Sequence, residues 1–342
     1  MRILRFLIFV VVVIAMVIAY YAYDYLYKEN VYLAGKESVF VYIPTGSTYS
    51  DVKNILYDKD IIINKKTFEW VAERKNYPNH IRSGKYKLSP GMGNNELVNL
   101  LRSGQQTPVM LTFTNIRTKE QLAGVVSRHL EADSMSILNK LNDPEVMAEY
   151  GFTTEQAKLM FVPNTYEFFW NTSARQLLNR MKREYDRFWN DKRTQQAEEI
   201  NMSPVEVGIL ASIVQLETNK KDEKARIAGV YINRLNRGMA LQADPTVVFA
   251  VGDFTINRVL NRHLEFDSPY NTYIYRGLPP GPITLPEPYT IDQVLNYEKH
   301  DYLYFAARED FSGYHNFAKT HSQHVANARR YRQALNERRI MN

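Results

Sequence analysis

The 342-residue chain has no cysteine. Disulfides, thiol nucleophiles and cysteine-based zinc sites are therefore excluded. The compartment stays open, because a large domain folds without disulfides in oxidising surroundings too. A His-Glu-x-x-His pattern is also missing. His321 and His324 lie one helical turn apart and His315 is near in sequence, but no acidic residue falls between His321 and His324, so no metal is expected. Low-complexity runs and long linkers are absent from 105–342, which reads as one domain. Neither sign of charge dominates. A net charge of +6 fits an anionic polymer or a membrane surface, and equally fits no such partner.

What is present begins with one apolar run. The 18 residues Phe6–Tyr23 carry no charge, just enough to span a bilayer core at roughly 17–25 residues per helix. Arg2 and Arg5 precede the run, and Asp24, Lys28 and Glu29 follow it. The positive-inside rule then puts residues 1–5 in the cytoplasm and the rest of the chain outside. Tyr20, Tyr21, Tyr23, Tyr25 and Tyr27 suit the outer interface. A cleaved signal peptide is the rival, but its cleavage site needs small residues where these tyrosines stand. The expectation is an uncleaved helix over 6–23, followed by a tether over 24–38.

Residues 39–104 contain an internal repeat. Ile43–Leu56 (IPTGSTYSDVKNIL) matches Leu88–Leu101 (LSPGMGNNELVNLL) at a constant offset of 45, with Gly46 opposite Gly91 and Ile55-Leu56 opposite Leu100-Leu101. Each copy predicts a strand end, a glycine turn and a short amphipathic helix. These units resemble LysM-type glycan-binding modules; a structural spacer is the other reading.

Farther on, the pattern predicts a strand over Gln105–Thr114, helices over Thr118–His129, Ser134–Asn142 and Ser173–Trp189, and an aromatic loop over Phe161–Trp170. Ser203–Thr218 (SPVEVGILASIVQLET) predicts a helix with a Ser203/Glu206 capping box and Pro204 at its first position. Leu210, Ile213, Val214 and Glu217 share one face, so an apolar stripe ends in a carboxylate. Burial and the negative end of the helix both disfavour ionisation of Glu217, as a general acid requires. The bland alternative turns the same side chain to water.

A second helix runs to about Arg237, with Ile227, Val230, Tyr231 and Leu235 inward and Gly238 as its stop. Asp244-Pro245 reads as a helix N-cap followed by proline, which explains Asp244 structurally and leaves Gln242 unexplained. Asp267–Ile283 (DSPYNTYIYRGLPPGPI) is a loop stiffened by four prolines. Its tyrosines, Asn271 and Thr272 suit a sugar cleft, or pack beneath a rigid surface loop. Tyr302–Ala306 reads as a buried strand, His315–Phe317 as another, and His321–Arg339 as a basic terminal helix.

Five segments in order carry a wider likeness: Leu210–Thr218, Val230–Ala250, Tyr270–Ile283, Tyr302–Ala307 and His315–His324. Together they resemble the endolytic murein transglycosylase family (MltG/YceG-like). The resemblance implies an α+β chain: an N-terminal transmembrane helix, a small LysM-like α+β subdomain over 39–104 and a larger mixed α+β catalytic domain over 105–342. It implies an inner-membrane protein with an extracytoplasmic catalytic domain, which cleaves the MurNAc-β-1,4-GlcNAc bond inside nascent peptidoglycan strands and leaves 1,6-anhydroMurNAc ends. Peptidoglycan strands and peptidoglycan synthases are the implied partners, with no nucleic acid, cofactor or metal. The catalytic glutamate maps to Glu217. Gln242, Asp244, Thr246, Asn271, Thr272, Tyr273 and Tyr166 are the candidate substrate-binding residues.

Two departures from the family pattern stand out. A further acidic residue common two positions before the catalytic one is Gln215 here, and the aspartate of a Pro-Asp-Thr-Tyr segment is Asn164. A single carboxylate suffices for such a lyase, because the C6 hydroxyl of the same sugar is the nucleophile. A hydrolase needs two, ~5–5.5 Å or ~6.5–9.5 Å apart. Asp244, Glu265 and Glu287 are the possible second carboxylates. The alternatives are a two-carboxylate hydrolase and a glycan-binding scaffold without catalysis.

Overall fold

A computed structural model describes residues 1–338, which divide into two units. Unit 1 holds residues 1–111, 129–132 and 167–173; unit 2 holds 112–128, 133–166 and the chain from Ala174 onward.

Unit 1 opens with α1 (Arg2–Leu26), long and apolar enough to cross a membrane, with a mean hydropathy of 2.9 over its most apolar 18 residues. β1 (Val39–Ile43), α2 (Tyr49–Tyr57), α3 (Lys65–Arg74), β2 (Gly84–Leu88) and α4 (Asn94–Ser103) follow. β1 and β2 pair antiparallel, with Val39 opposite Leu88 and Ile43 opposite Gly84. The sequence repeat is thereby realised in space. Gly46 and Gly91 both turn the chain at positive φ, +82° and +80°, where a side chain would be strained. Val52 and Leu56 of α2, and their counterparts Leu97 and Leu101 of α4, are fully buried. The copies differ at the helix start. Thr48 and Asp51 cap α2 reciprocally, whereas the N-cap of α4 is Gly93, where a Cβ would lie 2.9 Å from the carbonyl oxygens of Leu26 and Tyr27.

The stretch expected as a tether is bound into this unit. Val31 and Leu33 are buried, and the amides of Asn30 and Asn94 hydrogen bond to each other. Asn94 also donates to the Tyr25 carbonyl at 2.9 Å and to Thr67 Oγ1 at 3.0 Å. Buried amides persist only with such partners.

β3 (Val109–Thr112) is shorter than the predicted strand. α5 (Lys119–Ser127), α6 (Ser134–Leu141) and α7 (Pro144–Glu149) lead to β4 (Thr165–Phe168), which pairs with β3. β4 lies where a loop was predicted; Tyr166 and Phe168 alternate inward between exposed Thr165 and Glu167, a two-residue period hidden by the aromatic content. α8 (Ala174–Phe188) and α9 (Asp191–Glu199) precede α10 (Pro204–Glu217). The predicted capping box is in place, with Ser203 and Glu206 bonded reciprocally. The single stripe was an underestimate, since every residue from Val207 to Val214 is buried. Gly208 permits this on the far side, where a Cβ would come within 2.8 Å of Leu159. A helix apolar all round belongs at the centre of a domain.

α11 (Lys224–Asn236) and α14 (Pro288–Leu295) pack on α10, with α12 (Asp244–Val251) and α13 (Asn261–Leu264) between them in sequence. β5 (Tyr304–Ala307) and β6 (His315–Ala318) form an antiparallel pair, and α15 (His321–Glu337) packs on β5. β5 is half-buried throughout rather than buried: Tyr304 packs on His324 of α15 and Phe305 on Tyr231 of α11. Arg339, the predicted end of the last helix, lies outside the described residues.

Candidate active site

α10 ends at Glu217, and Thr218 turns the backbone to an extended conformation (φ −146°, ψ 141°). The chain then returns through α11, whose buried Tyr231 donates its phenol proton to Glu217 Oε1 at 2.5 Å. Burial pushes the Glu217 carboxyl up to about 7. The Tyr231 hydrogen bond pulls it down, the Asp244 charge pushes it up, and the Arg234 charge pulls it down, in that order of weight. Burial and the neighbouring carboxylate hold the Tyr231 phenol well above its usual range, so it stays a donor at any working pH. Glu217 keeps a partly accessible face. A buried carboxyl that protonates near neutrality and retains access to solvent suits proton transfer.

Two loops complete the surroundings. Asp244 is not the N-cap predicted from sequence. Ala243 occupies that position, Asp244 is the first helical residue of α12, and no side chain caps the helix. The exposed Asp244 carboxylate instead accepts from the Tyr273 hydroxyl at 2.6 Å. Gln242, just before it, sits at φ +48° and is exposed. Thr246, Asn271 and Thr272 lie beneath this surface. Thr272 Oγ1 accepts from the Ala243 amide at 3.0 Å and meets Thr246 Oγ1 at 2.8 Å, and Asn271 donates to the carbonyls of Leu264 and Phe266, each at 2.9 Å. All three are essentially fully buried, so they shape the loops and do not face the cleft. Tyr166 is likewise buried in packing, donating to the Val162 carbonyl at 2.7 Å. The far end of the proline-rich loop is tied to the middle of α10, where the Ile283 amide donates to buried Ser212 Oγ at 3.1 Å.

Two cavities meet at Glu217 and Asp244, which line both. The larger, of about 570 Å³, is walled by Arg117, Phe249, Phe254 and Arg258 among others. The smaller, of about 250 Å³, is walled by Tyr231, Gln242, Tyr273, Tyr304, His321 and His324 among others. Of the candidates named from sequence, Glu217, Asp244, Gln242 and Tyr273 are thus brought together. Glu265 and Glu287 line neither cavity. The three histidines part company: His315 pairs with buried Glu223 at 2.8 Å, whereas His324 stacks on Tyr304 in the smaller cavity.

This constellation can be compared with known proteins. The YceG-like family matches residues 41–330. The chain belongs to that family. An endolytic murein transglycosylase of Bacillus subtilis (strain 168) is 29% identical over 326 residues, covering 91% of this chain and 89% of the relative. One of Streptococcus pneumoniae (serotype 2, strain D39) is 28% identical over 347 residues; the match covers 90% of this chain but only 62% of that longer protein. The 2.6 Å crystal structure of a YceG-like protein of Listeria monocytogenes superposes with a TM-score of 0.57 at 31% identity, covering 85% of this chain and 99% of the other.

The two departures from the family pattern have structural outcomes. Gln215 points to α14, accepting from Thr290 Oγ1 at 2.6 Å and from the Glu287 amide at 3.2 Å, and lines neither cavity. Asn164 is exposed and accepts from the Thr165 amide at 2.8 Å. Sequence reasoning placed Tyr231 in the core but missed its hydrogen bond, and it missed Phe249, Phe254, Arg117 and Arg258 altogether. Tyr231 carried the only available signal: a phenol on a buried stripe needs a partner for its hydroxyl.

Proposed function

We propose that the chain is an endolytic murein transglycosylase, a lyase that cuts the MurNAc-β-1,4-GlcNAc bond within nascent peptidoglycan strands and so ends their elongation, with Glu217 as its acid and base. The observation that carries the assignment is the buried Tyr231–Glu217 pair at the meeting of two cavities. Tyr231 occupies Oε1, which leaves Oε2 for proton transfer. Protonated Glu217 gives its proton to the glycosidic oxygen as the C1–O4 bond breaks. Positive charge develops at C1 of MurNAc, opposed by the Asp244 carboxylate that Tyr273 holds in place. The Glu217 carboxylate then removes the proton of the C6 hydroxyl of the same sugar, O6 bonds to C1, and the 1,6-anhydro ring closes. Gln242 and Tyr273 hydrogen bond the sugars.

α1 serves as a single-pass anchor with its N-terminus in the cytoplasm, on the strength of Arg2 and Arg5 before the apolar run. Unit 1 contributes LysM-like glycan contacts through the half-exposed Phe40 and Tyr42 of β1.

Mass spectrometry of products from purified glycan strands tests the chemistry. Anhydro ends are expected. Reducing ends would identify a hydrolase using Asp244 as second carboxylate, and uncut strands a binding scaffold. A periplasmic reporter fused after Asn342 should be active, and a silent one would reverse the topology.

A further inference from the structure

The two cavities flanking Glu217 differ in ways a uniform polysaccharide would not require. The larger has more than twice the volume of the smaller, about 570 against 250 Å³. Its wall combines apolar surface from Val248, Phe249, Phe254 and Ile256 with two guanidinium groups, Arg117 and Arg258. Phe249 packs on Tyr270 with ring centroids 4.7 Å apart, and the Arg117 guanidinium lies 5.0 Å from the centroid of Phe254. Such stacking orients a guanidinium without consuming its hydrogen-bond donors. Lys158 lies behind this wall and is spent internally: it is buried beneath Phe249 and donates to the Arg117 carbonyl.

The smaller cavity also holds an arginine, but one held differently from Arg117. Arg234 is buried and committed, donating to the Leu303 carbonyl at 2.7 Å and to the Leu241 carbonyl at 2.6 Å. Apart from the shared carboxyls of Glu217 and Asp244, the other groups lining the smaller cavity are hydroxyls, an amide, imidazoles and aromatic faces. They match a sugar bearing only hydroxyl and acetamido groups.

The two sugars of the substrate differ in the same sense. GlcNAc carries hydroxyls and an acetamide. MurNAc carries in addition a lactyl ether at O3, amide-linked to a short peptide with methyl side chains and free carboxylates. Methyl groups suit the apolar wall, and carboxylates suit arginine donors.

We propose that the larger cavity is a binding site for the lactyl-peptide of MurNAc, with Arg117 receiving a carboxylate, and that the smaller cavity holds the leaving GlcNAc. The assignment rests on the transglycosylase reading and adds direction and selectivity to it. The strand runs one way across Glu217, the anhydro ring closes in the larger cavity, and strands with intact peptides are the favoured substrate. Asp244, the other carboxylate shared by the cavities, is engaged by Tyr273.

The test uses full-length protein in detergent and two substrates: glycan strands with intact stem peptides, and the same strands stripped of peptide by an amidase. The readout is the ratio of kcat/KM for intact over stripped strands, measured as anhydro ends formed. Wild type should favour intact strands roughly tenfold, the scale of a charge-assisted contact. In Arg117→Ala the ratio should fall toward one, while Arg117→Lys should keep part of the preference. A ratio of one in wild type, or an unchanged ratio in Arg117→Ala, overturns the proposal. So does a His324→Ala variant that abolishes the preference, since that would place the peptide in the smaller cavity. Absence of anhydro ends from both substrates would be a failure of the transglycosylase reading itself, distinct from these outcomes.

Discussion

Tyr231 donates its hydroxyl proton to Glu217 Oε1 at 2.5 Å, from one turn of α11 to the last residue of α10. The bond favours the charged carboxylate, whereas burial and Asp244 favour the neutral one. Removing the phenol should therefore raise the Glu217 pKa above its value of about 7. Tyr231→Phe is expected to move the alkaline limb of the pH–rate profile up by roughly one pH unit and to lower kcat about tenfold. A purely packing role would lower the rate without moving the limb.

Asp244 pushes in the opposite direction. Its charge raises the Glu217 pKa, so Asp244→Asn should move the same limb to lower pH. Under the lyase reading kcat falls by roughly 10²-fold through lost stabilisation of positive charge at C1, and the products keep their anhydro ends. Total loss of cleavage together with reducing ends in the wild-type digest would instead make Asp244 a second catalytic carboxylate. Mass spectrometry and pH–rate profiles on one variant check both points.

Glu217→Gln should abolish cleavage, by a factor of roughly 10² or more. It should also reveal what the carboxyl costs the fold. The folded pKa of about 7 lies above the ordinary value of 4.5, so the neutral form is the one that folding favours. That contribution is present below about pH 4.5 and is lost as pH rises through 7. Glutamine stays neutral and can still accept from Tyr231. At pH 8 the variant should be more stable than wild type by about 1–3 kcal/mol, and the advantage should vanish near pH 4. Denaturant melts at the two pH values measure the difference. Full activity in this variant would sink the assignment of Glu217.

At Gly281 the proline-rich loop passes close to another segment. A Cβ there would lie 2.2 Å from the backbone oxygen of Glu155 and 3.0 Å from the Tyr270 hydroxyl. Backbone cannot yield as a flexible side chain can, so Gly281→Ala should cost about 1–3 kcal/mol. Because the loop also carries Tyr273, which holds Asp244, kcat/KM should fall as well. Thermal melts and strand cleavage measured together check the coupling; a loss of stability with full activity would separate the loop from the site.

Much of the molecule was legible in the chain itself. Apolar length predicted α1, and repeated turn chemistry predicted the two strand–glycine–helix copies of unit 1. The Ser203–Glu206 capping box located the start of α10, and the spacing from Leu210 to Glu217 singled out the carboxyl. Each of these is local, set by residues within a few turns of one another. β4 was misread because four residues among aromatics offer too short a period. Asp244 was misread because a cap and a cleft carboxylate look alike until the partner of the side chain is known.

Tertiary structure decided everything that depends on two distant segments meeting. It bonded Tyr231 to Glu217, turned Gln215 to α14, drew Thr246, Asn271 and Thr272 beneath the surface and left Asp244 above it. Sequence by itself determined that a glutamate would end a helix with a capping box and an apolar stripe. The pairing of α10 with α11 and the two loops over them decided how far its proton is held, because desolvation and hydrogen bonding act through space and carry no trace of chain separation.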